Sequence, residues 1–139
     1  AGGVVPSIIF SLLRMKVSKI FLSNRTKEKA NNLKEFFKEV NVVDWGDLPD
    51  FDMIINATSL GLSKEDNIEL NFKNINNEKL FYDVIYNPKE TNFLKTGKKL
   101  GCKVSNGRMM FIYQAFEAFK LWHKVQPEIN EDLKNFLDI

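Results

Sequence analysis

The sequence contains one cysteine, one histidine and only three arginines in 139 residues. Because Cys102 has no second cysteine to pair with, an internal disulfide and a cysteine-rich zinc site are both excluded. His123 is the single imidazole, which excludes the metal sites that need two or more histidines. We therefore predict no metal site.

Long apolar runs are also missing. No run approaches the roughly 20 residues of a membrane-spanning helix, and the N-terminus lacks the pattern of a signal peptide. The formal net charge is +2, so bulk charge does not indicate a nucleic-acid partner. We predict one soluble, cytoplasmic domain over residues 1–139, without a nucleic-acid or membrane partner. The chain begins with Ala1 rather than Met, which predicts a fragment or a processed product.

Hydrophobic periodicity predicts strands that alternate with helices. Helices are predicted at 5–15, 27–38, 91–100, 110–124 and 127–137. Strands are predicted at 18–23, 40–43, 52–56, 80–85 and 102–105, and a loop at 63–79. Gly101 would cap the third helix, and Pro127 would open the last one. This order predicts an α/β fold with a parallel sheet covered by helices on both faces.

The first motif is Ala1-Gly2-Gly3, which runs directly into a predicted helix. About twenty residues later, the first predicted strand ends in Asn24-Arg25-Thr26, and Lys29 follows one turn into the next helix. A dinucleotide-binding fold holds the adenosine ribose at this position. Two cations without a carboxylate favour a ribose 2′-phosphate there, and thus NADP over NAD. The alternative is a solvated helix start with Thr26 as a simple N-cap.

Three further motifs follow predicted strands. Asn56-Ala57-Thr58-Ser59-Leu60-Gly61 offers small and polar groups, although an ordinary βα turn would look similar. Tyr86 ends the next strand, where it could instead simply pack on a helix. Asn106-Gly107 opens the longest helix and Gln114 lies farther along it, either as a ligand contact or as a buried amide satisfied by a carbonyl. Arg108 could contact a ligand, but the preferred interpretation is an exposed cation.

In this order and spacing, the four motifs resemble the C-terminal half of shikimate dehydrogenases over nearly the whole chain. Residues 1–3 are similar to the family's phosphate loop from its second position, and residues 24–29 to its NADP clasp. Residues 83–91 resemble its Asp-x-x-Tyr-Asn-Pro-x-x-Thr strand end, and residues 106–122 its Asn-Gly…Met…Gln-Ala…Ala-Phe…Trp helix. The resemblance implies a Rossmann-like, doubly wound parallel sheet whose first strand is missing. Two C-terminal helices over 107–139 would return toward an N-terminal substrate domain.

The resemblance implies an oxidoreductase of aromatic amino-acid biosynthesis that passes a hydride between NADP(H) and the pair 3-dehydroshikimate and shikimate. The implied cofactor residues are Ala1, Gly2, Gly3 and Val4 at the pyrophosphate, Asn24, Arg25, Thr26 and Lys29 at the 2′-phosphate, and Asn56, Ala57, Thr58, Ser59, Val84 and Gly107 toward the nicotinamide. Thr58 and Ser59 would lie near the ribose, Val84 against the ring, and the Gly107 carbonyl at the carboxamide. Tyr86 and Gln114 would reach the shikimate.

Two departures from the family accompany this resemblance. Val4 replaces a usual Ala, and Met109 stands where the family often has Gly. The family's catalytic Lys and Asp belong to the absent N-terminal domain, so no catalytic residue is assigned here and the isolated chain is expected to be inactive. Exposed strand edges and an unpartnered last helix (Ile129, Leu133, Phe136 and Leu137) further predict a marginally stable, aggregation-prone chain.

Other functions remain open on the sequence alone. A non-catalytic NADP(H)-binding module would use the same motifs without a reaction. A quinate-accepting relative often prefers NAD through an acidic residue near position 25, and Arg25 speaks against it. A methylenetetrahydrofolate dehydrogenase or a ligand-free α/β domain would leave the Tyr86 and Gln114 motifs coincidental. Oligomeric state is not predicted.

Overall fold

The computed structural model describes residues 2–72 and 75–136. Within these ranges, the helices are α1 (Val5–Arg14), α2 (Lys27–Phe36), α3 (Asn92–Lys99), α4 (Arg108–His123) and α5 (Glu131–Phe136). The strands are β1 (Ile20–Ser23), β2 (Val40–Val43), β3 (Met53–Asn56), β4 (Leu80–Asp83) and β5 (Lys103–Ser105). The predicted α/β class is therefore confirmed.

The strands form two parallel sheets instead of one. β1 pairs with β2 in the register Ile20↔Val40, and β3–β4–β5 form the second sheet. In the part of the chain that the structure describes, no strand bonds the free edge of β1 or the free edge of β3. The doubly wound sheet that the resemblance implies is thus interrupted between these two strands.

The first sheet is stabilised by an apolar cluster that includes α1. Val5 and Ile9 lie four residues apart on one helix face and are buried against Ile20 and Val40. Pro6 lies in the first turn of α1, where its missing N–H costs no intrahelical hydrogen bond. Helix α2 packs on both strands. The glycines before α1 are thereby held next to this sheet.

A second core surrounds Phe81, the fully buried centre of β4. Its ring packs against three phenylalanines, Phe51, Phe72 and Phe93, with ring centroids 6.2, 5.2 and 5.1 Å away. A methyl group built on Gly97 would lie 2.7 Å from the Phe81 ring, so this glycine lets α3 approach the sheet closely. Burial of Cys102 in the same core raises the pKa of its thiol, which keeps it neutral.

Two connections lack a helix within the described residues, as the predicted elements already imply, since no helix is predicted between residues 43 and 52 or between residues 56 and 80. In the described residues between β2 and β3, and between β3 and β4, no helix is present. Helix α5 begins at Glu131 and not at Pro127, because Asn130 accepts a hydrogen bond from the Leu133 amide, 2.9 Å long, as an N-cap would. Leu137 lies outside the described residues.

Helix α4 leaves most of its apolar surface exposed. Only Ile112 is buried, whereas Phe119 and Leu121 are exposed and Trp122 is 78% exposed. Arg108, expected to be an exposed cation, is half-buried and donates a 2.7 Å hydrogen bond to the Lys134 carbonyl, which joins α4 to α5. That expectation was wrong because residues 127–136 return to the start of α4. None of the described helices is long and apolar enough to cross a membrane.

Candidate functional site

The candidate site lies where the parallel strands end and α1 begins. β3, β4 and β5 run in the same direction, so the segments that follow them leave the sheet at one edge. A methyl group built on Gly2 would lie 3.9 Å from the Ala57 carbonyl oxygen, and Ala57 also packs on the α1 cluster. The start of α1 and the loop after β3 therefore meet, as the combination of the first two motifs requires.

The start of α1 is open to a ligand. Gly2 and Gly3 are exposed, and nothing lies within 4 Å of a methyl group built on Gly3. Val4 is the N-cap residue and no side chain caps the helix. Such a helix start presents N–H groups without intrahelical partners and a positive dipole, which together attract an anion. Ala1, the remaining residue of this motif, lies outside the described residues.

The end of β1 presents polar side chains to solvent. Arg25, Thr26 and Lys29 are exposed, and among residues 2–72 and 75–136 neither cation has an ion-pair partner. Asn24 is half-buried and donates a 2.7 Å hydrogen bond to the Thr26 carbonyl, which shapes the turn. Thr26 occupies the N-cap position of α2, but its side chain makes no capping hydrogen bond. The simple-cap alternative therefore does not account for the Thr26 hydroxyl.

A carboxylate outside the sequence motif, that of Asp44, pairs with Lys27 near the end of β1. Asp44 follows β2, and the register Ser23↔Val43 brings it next to the end of β1. Ser23 Oγ donates to the Asp44 carbonyl over 3.0 Å, and Lys27 Nζ lies 2.6 Å from Asp44 Oδ1. Lys27 thus compensates the negative charge of Asp44. Only strand pairing reveals this neighbour, since Asp44 is about twenty residues away in sequence.

The loop after β3 is organised by Asn56, whose side chain is buried. Its Nδ2 donates to the Leu60 carbonyl over 2.9 Å and to Asp83 Oδ1 over 3.1 Å. Its Oδ1 accepts from the amide and the hydroxyl of Thr58, over 3.0 and 2.7 Å. Thr58 Oγ1 also accepts from the Leu60 amide. Asn56 and Thr58 therefore shape the loop, and Ser59 is its exposed hydroxyl.

The segments after β4 and β5 touch through Val84 and Gly107. A methyl group built on Gly107 would lie 1.9 Å from the Val84 carbonyl oxygen, so only glycine fits there. The Gly107 amide donates a 3.1 Å hydrogen bond to the Ile85 carbonyl, and the Val84 amide donates one of 3.0 Å to the Asn56 carbonyl. Two positions predicted to face the nicotinamide are thus brought together with the loop after β3.

The two residues expected to reach a substrate lie near one another on α4 and at the end of β4. Tyr86 is 44% exposed and stacks on Phe111, with ring centroids 4.6 Å apart. Gln114 follows Phe111 by three residues and thus shares its helix face. Because Gln114 is exposed, its interpretation as a buried, satisfied amide was wrong. Tyr86 does pack on a helix, yet its ring remains accessible.

Two carboxylates that received no role from the sequence organise this edge. Asp83 is fully buried and accepts hydrogen bonds from three segments. Asp66 Oδ2 accepts hydrogen bonds from the Ser63 and Gly61 amides. These bonds hold the pKa of Asp66 below its ordinary value, and the bond from Ser63 has the larger effect. The role of Asp83 could have been found from the sequence, because Asp83 lies near the end of a predicted strand and Thr91 begins the helix that follows it. No cluster of metal-ligating side chains occurs in the described ranges.

A parallel α/β domain with an open glycine-bearing helix start, exposed cations after β1 and a hydroxyl-bearing loop after β3 has the features of a dinucleotide-binding domain. Comparison with known proteins shows which dinucleotide-binding proteins this domain is similar to. Shikimate dehydrogenase (NADP(+)) from Pelagibacter ubique is 56% identical over 139 residues, covering 100% of this chain and 52% of that protein. The chain is thus homologous along its whole length to about half of a shikimate dehydrogenase, and the expected resemblance is confirmed.

Solved structures agree with this relationship. A shikimate dehydrogenase from Aquifex aeolicus matches 91% of this chain and 47% of its own, with 36% identity and a TM-score of 0.79. A quinate dehydrogenase from Corynebacterium glutamicum in complex with NAD matches 100% of this chain and 53% of its own, with 26% identity and a TM-score of 0.87. No protein-family model matches the chain. The named relatives do not favour a non-catalytic module or a quinate enzyme over the main interpretation.

Proposed function

We propose that the chain forms the NADP(H)-binding part of a shikimate dehydrogenase, which transfers a hydride between NADPH and 3-dehydroshikimate to give shikimate. The observation that carries this proposal is the 56% identity, over the full chain, to a protein named for that activity and for NADP(+). The chain spans about half the length of the curated relatives it matches. In this proposal the activity is that of a full-length shikimate dehydrogenase and not of this chain by itself.

The phosphates of the nucleotide would bind at two separate places. The pyrophosphate would lie over Gly2, Gly3 and Val4, where the open space beside Gly3 and the uncapped start of α1 favour an anion. The 2′-phosphate would lie between Arg25 and Lys29. Arg25 can bind it through two parallel N–H donors, and the Thr26 hydroxyl can add a third donor. Asn24 holds the turn that presents both side chains.

The nicotinamide end would lie where Val84 contacts Gly107 and where the Val84 amide donates to the Asn56 carbonyl at the start of the Ser59 loop. Bound NADPH supplies the hydride for the reaction. Val84 would give the ring an apolar wall, and the Gly107 carbonyl would accept a hydrogen bond from the carboxamide. Ser59 would bind the adjoining ribose, in a loop that Asn56 and Thr58 hold in shape. These residues orient the ring and exclude water from one of its faces.

The substrate would bind beside Tyr86 and Gln114, on the exposed side of α4. The Tyr86 hydroxyl and the Gln114 amide can donate hydrogen bonds to hydroxyl or carboxylate oxygens of shikimate. We assign no acid or base in this chain, because the catalytic Lys and Asp are expected in the other half of the enzyme. The chain alone is therefore proposed to bind NADPH without turning over shikimate.

The break between the two sheets fits the same proposal. A strand from outside this chain would bond the free edges of β1 and β3 and make one doubly wound sheet. The exposed apolar side chains of α4, among them Leu121 and Trp122, would then face the substrate domain.

A calorimetric titration of the folded chain with NADPH and NADH tests the cofactor assignment. We expect saturable binding of NADPH and much weaker binding of NADH, with circular dichroism on the same sample showing the α/β fold. A folded chain that binds neither nucleotide, or that prefers NADH, would contradict the proposal. NMN, which lacks the adenosine half and therefore the 2′-phosphate, should bind much more weakly than NADPH.

A further inference from the structure

Asp83 is a buried carboxylate whose compensation comes only from neutral donors in the described part of the chain. Its side chain is 0% exposed. Oδ1 accepts from Asn56 Nδ2 over 3.1 Å and from the Ile85 amide over 3.0 Å, and Oδ2 accepts from Thr91 Oγ1 over 2.6 Å. A buried carboxylate is costly unless such hydrogen bonds satisfy it, so the three donors are held in fixed positions.

These donors belong to three different segments at the nicotinamide end. Asn56 continues the network to Thr58 and to the Leu60 carbonyl, and thereby shapes the loop that contains Ser59. Thr91 is the N-cap of α3, and its Oγ1 accepts from the Leu94 amide. One carboxylate thus joins the loop after β3, the end of β4 and the start of α3.

Ile85 extends this coupling to the segment after β5. Its amide donates to Asp83, and its carbonyl accepts the Gly107 amide over 3.1 Å. Gly107 in turn lies against the Val84 carbonyl with no room for a side chain. A displacement of residues 84–85 would therefore move Gly107 as well.

We propose that Asp83 is a positioning residue, which holds Val84, Gly107 and the Ser59 loop in register for the nicotinamide half of the nucleotide without touching it. This inference rests on the proposed NADP(H) site. The adenosine half is bound by residues that share no hydrogen bond with Asp83, namely Arg25, Thr26 and Lys29. Disturbing Asp83 should therefore weaken one half of the nucleotide site and spare the other.

The test is Asp83→Asn, which keeps the size of the side chain but replaces one acceptor oxygen with an amide NH2 group, a hydrogen-bond donor. We expect its affinity for NADPH to fall roughly tenfold, as for the loss of one hydrogen bond in a buried network. The affinity for 2′,5′-ADP, which contains the adenosine half alone, should not change. Phe81→Leu is the matched control, since it destabilises the same strand from the core and should leave both affinities unchanged.

Thr91→Val and Thr91→Ser keep the test decisive if Asp83→Asn fails to fold. Valine lacks the hydroxyl that donates to Asp83, so Thr91→Val should lower the affinity for NADPH but not the affinity for 2′,5′-ADP. Serine keeps the hydroxyl, so Thr91→Ser should bind NADPH as the unaltered chain does. Equal weakening of both ligands, or of neither, overturns the positioning role. If the unaltered chain binds 2′,5′-ADP but not NADPH, the proposed nicotinamide end is wrong. If it binds neither, the proposed function and this inference both fail.

Discussion

At the end of β1, Arg25, Thr26 and Lys29 are exposed side chains, and the two cations have no ion-pair partner within the described residues. At the ends of β3 and β4, by contrast, Asn56 and Asp83 are buried and every hydrogen-bonding group of the Asn56 side chain is occupied. The first region would bind its ligand through free charges, and the second through backbone held in place by packing. Substitutions in the first should therefore act locally, and substitutions in the second should act on the fold.

Gly107→Ala is expected to have the largest effect, because the added methyl group would lie 1.9 Å from the Val84 carbonyl oxygen. Backbone cannot yield cheaply, so we expect a loss of roughly 4 kcal/mol or more in the free energy of unfolding. Since native domains have only about 5–15 kcal/mol, the variant should unfold at a much lower urea concentration and a much lower temperature than the unaltered chain. A variant as stable as the unaltered chain would show that the second region is not rigidly packed.

Gly3→Ala is the matched glycine substitution at the open start of α1. No atom lies within 4 Å of the added methyl group, so the stability of the chain should hardly change. The methyl group would occupy the space expected for the pyrophosphate, and we expect NADPH affinity to fall at least about tenfold. Titration and thermal denaturation of the same sample separate the two effects. If the variant binds NADPH as tightly as the unaltered chain, the pyrophosphate does not bind at this position.

Asp66→Asn should have the smallest effect, because Asp66 holds only the loop at Gly61 and Ser63. Its pKa in the folded chain is lowered below 3.8, so the ionised carboxylate stabilises the fold above that pH and loses its contribution as the pH falls further. The unaltered chain should therefore be slightly more stable than the variant at pH 6, and the difference should vanish at lower pH. Glu65→Gln, next to it and exposed, is the control and should be as stable as the unaltered chain at pH 6.

The sequence predicted the helices and strands well, and it placed Arg25, Thr26 and Lys29 around the start of α2, where their role in binding a nucleotide remains a prediction. The short-range pattern of Arg25, Thr26 and Lys29 is enough to place three polar side chains around one helix start. The second region depends on strand register, which aligns Asn56 with Asp83 and brings together side chains 27 positions apart. The same reason hid the contact of Gly107 with Val84 and the pairing of Lys27 with Asp44. Local sequence patterns carry no direct information on such register.

The sequence predicted that the sheet would be split, but it did not predict how the two parts would pack. A strand missing from the centre of a doubly wound sheet leaves two edges free, and β1 and β3 have such edges in the described residues. Each half nevertheless has its own apolar core, one around Ile9 and Val40 and one around Phe81. The expectation that the isolated chain is marginally stable remains a prediction.

The central claim is that free charges after β1 select NADP(H), and the ratio of NADPH to NADH affinity in Arg25→Ala tests it most directly. A charge-assisted hydrogen bond to phosphate contributes about 1.5–3 kcal/mol, so the preference for NADPH should fall roughly tenfold or more. NADH affinity should not change, and Lys19→Ala, an exposed cation just before β1, should retain the full preference. An unchanged ratio, or equal weakening of both nucleotides, would contradict the account.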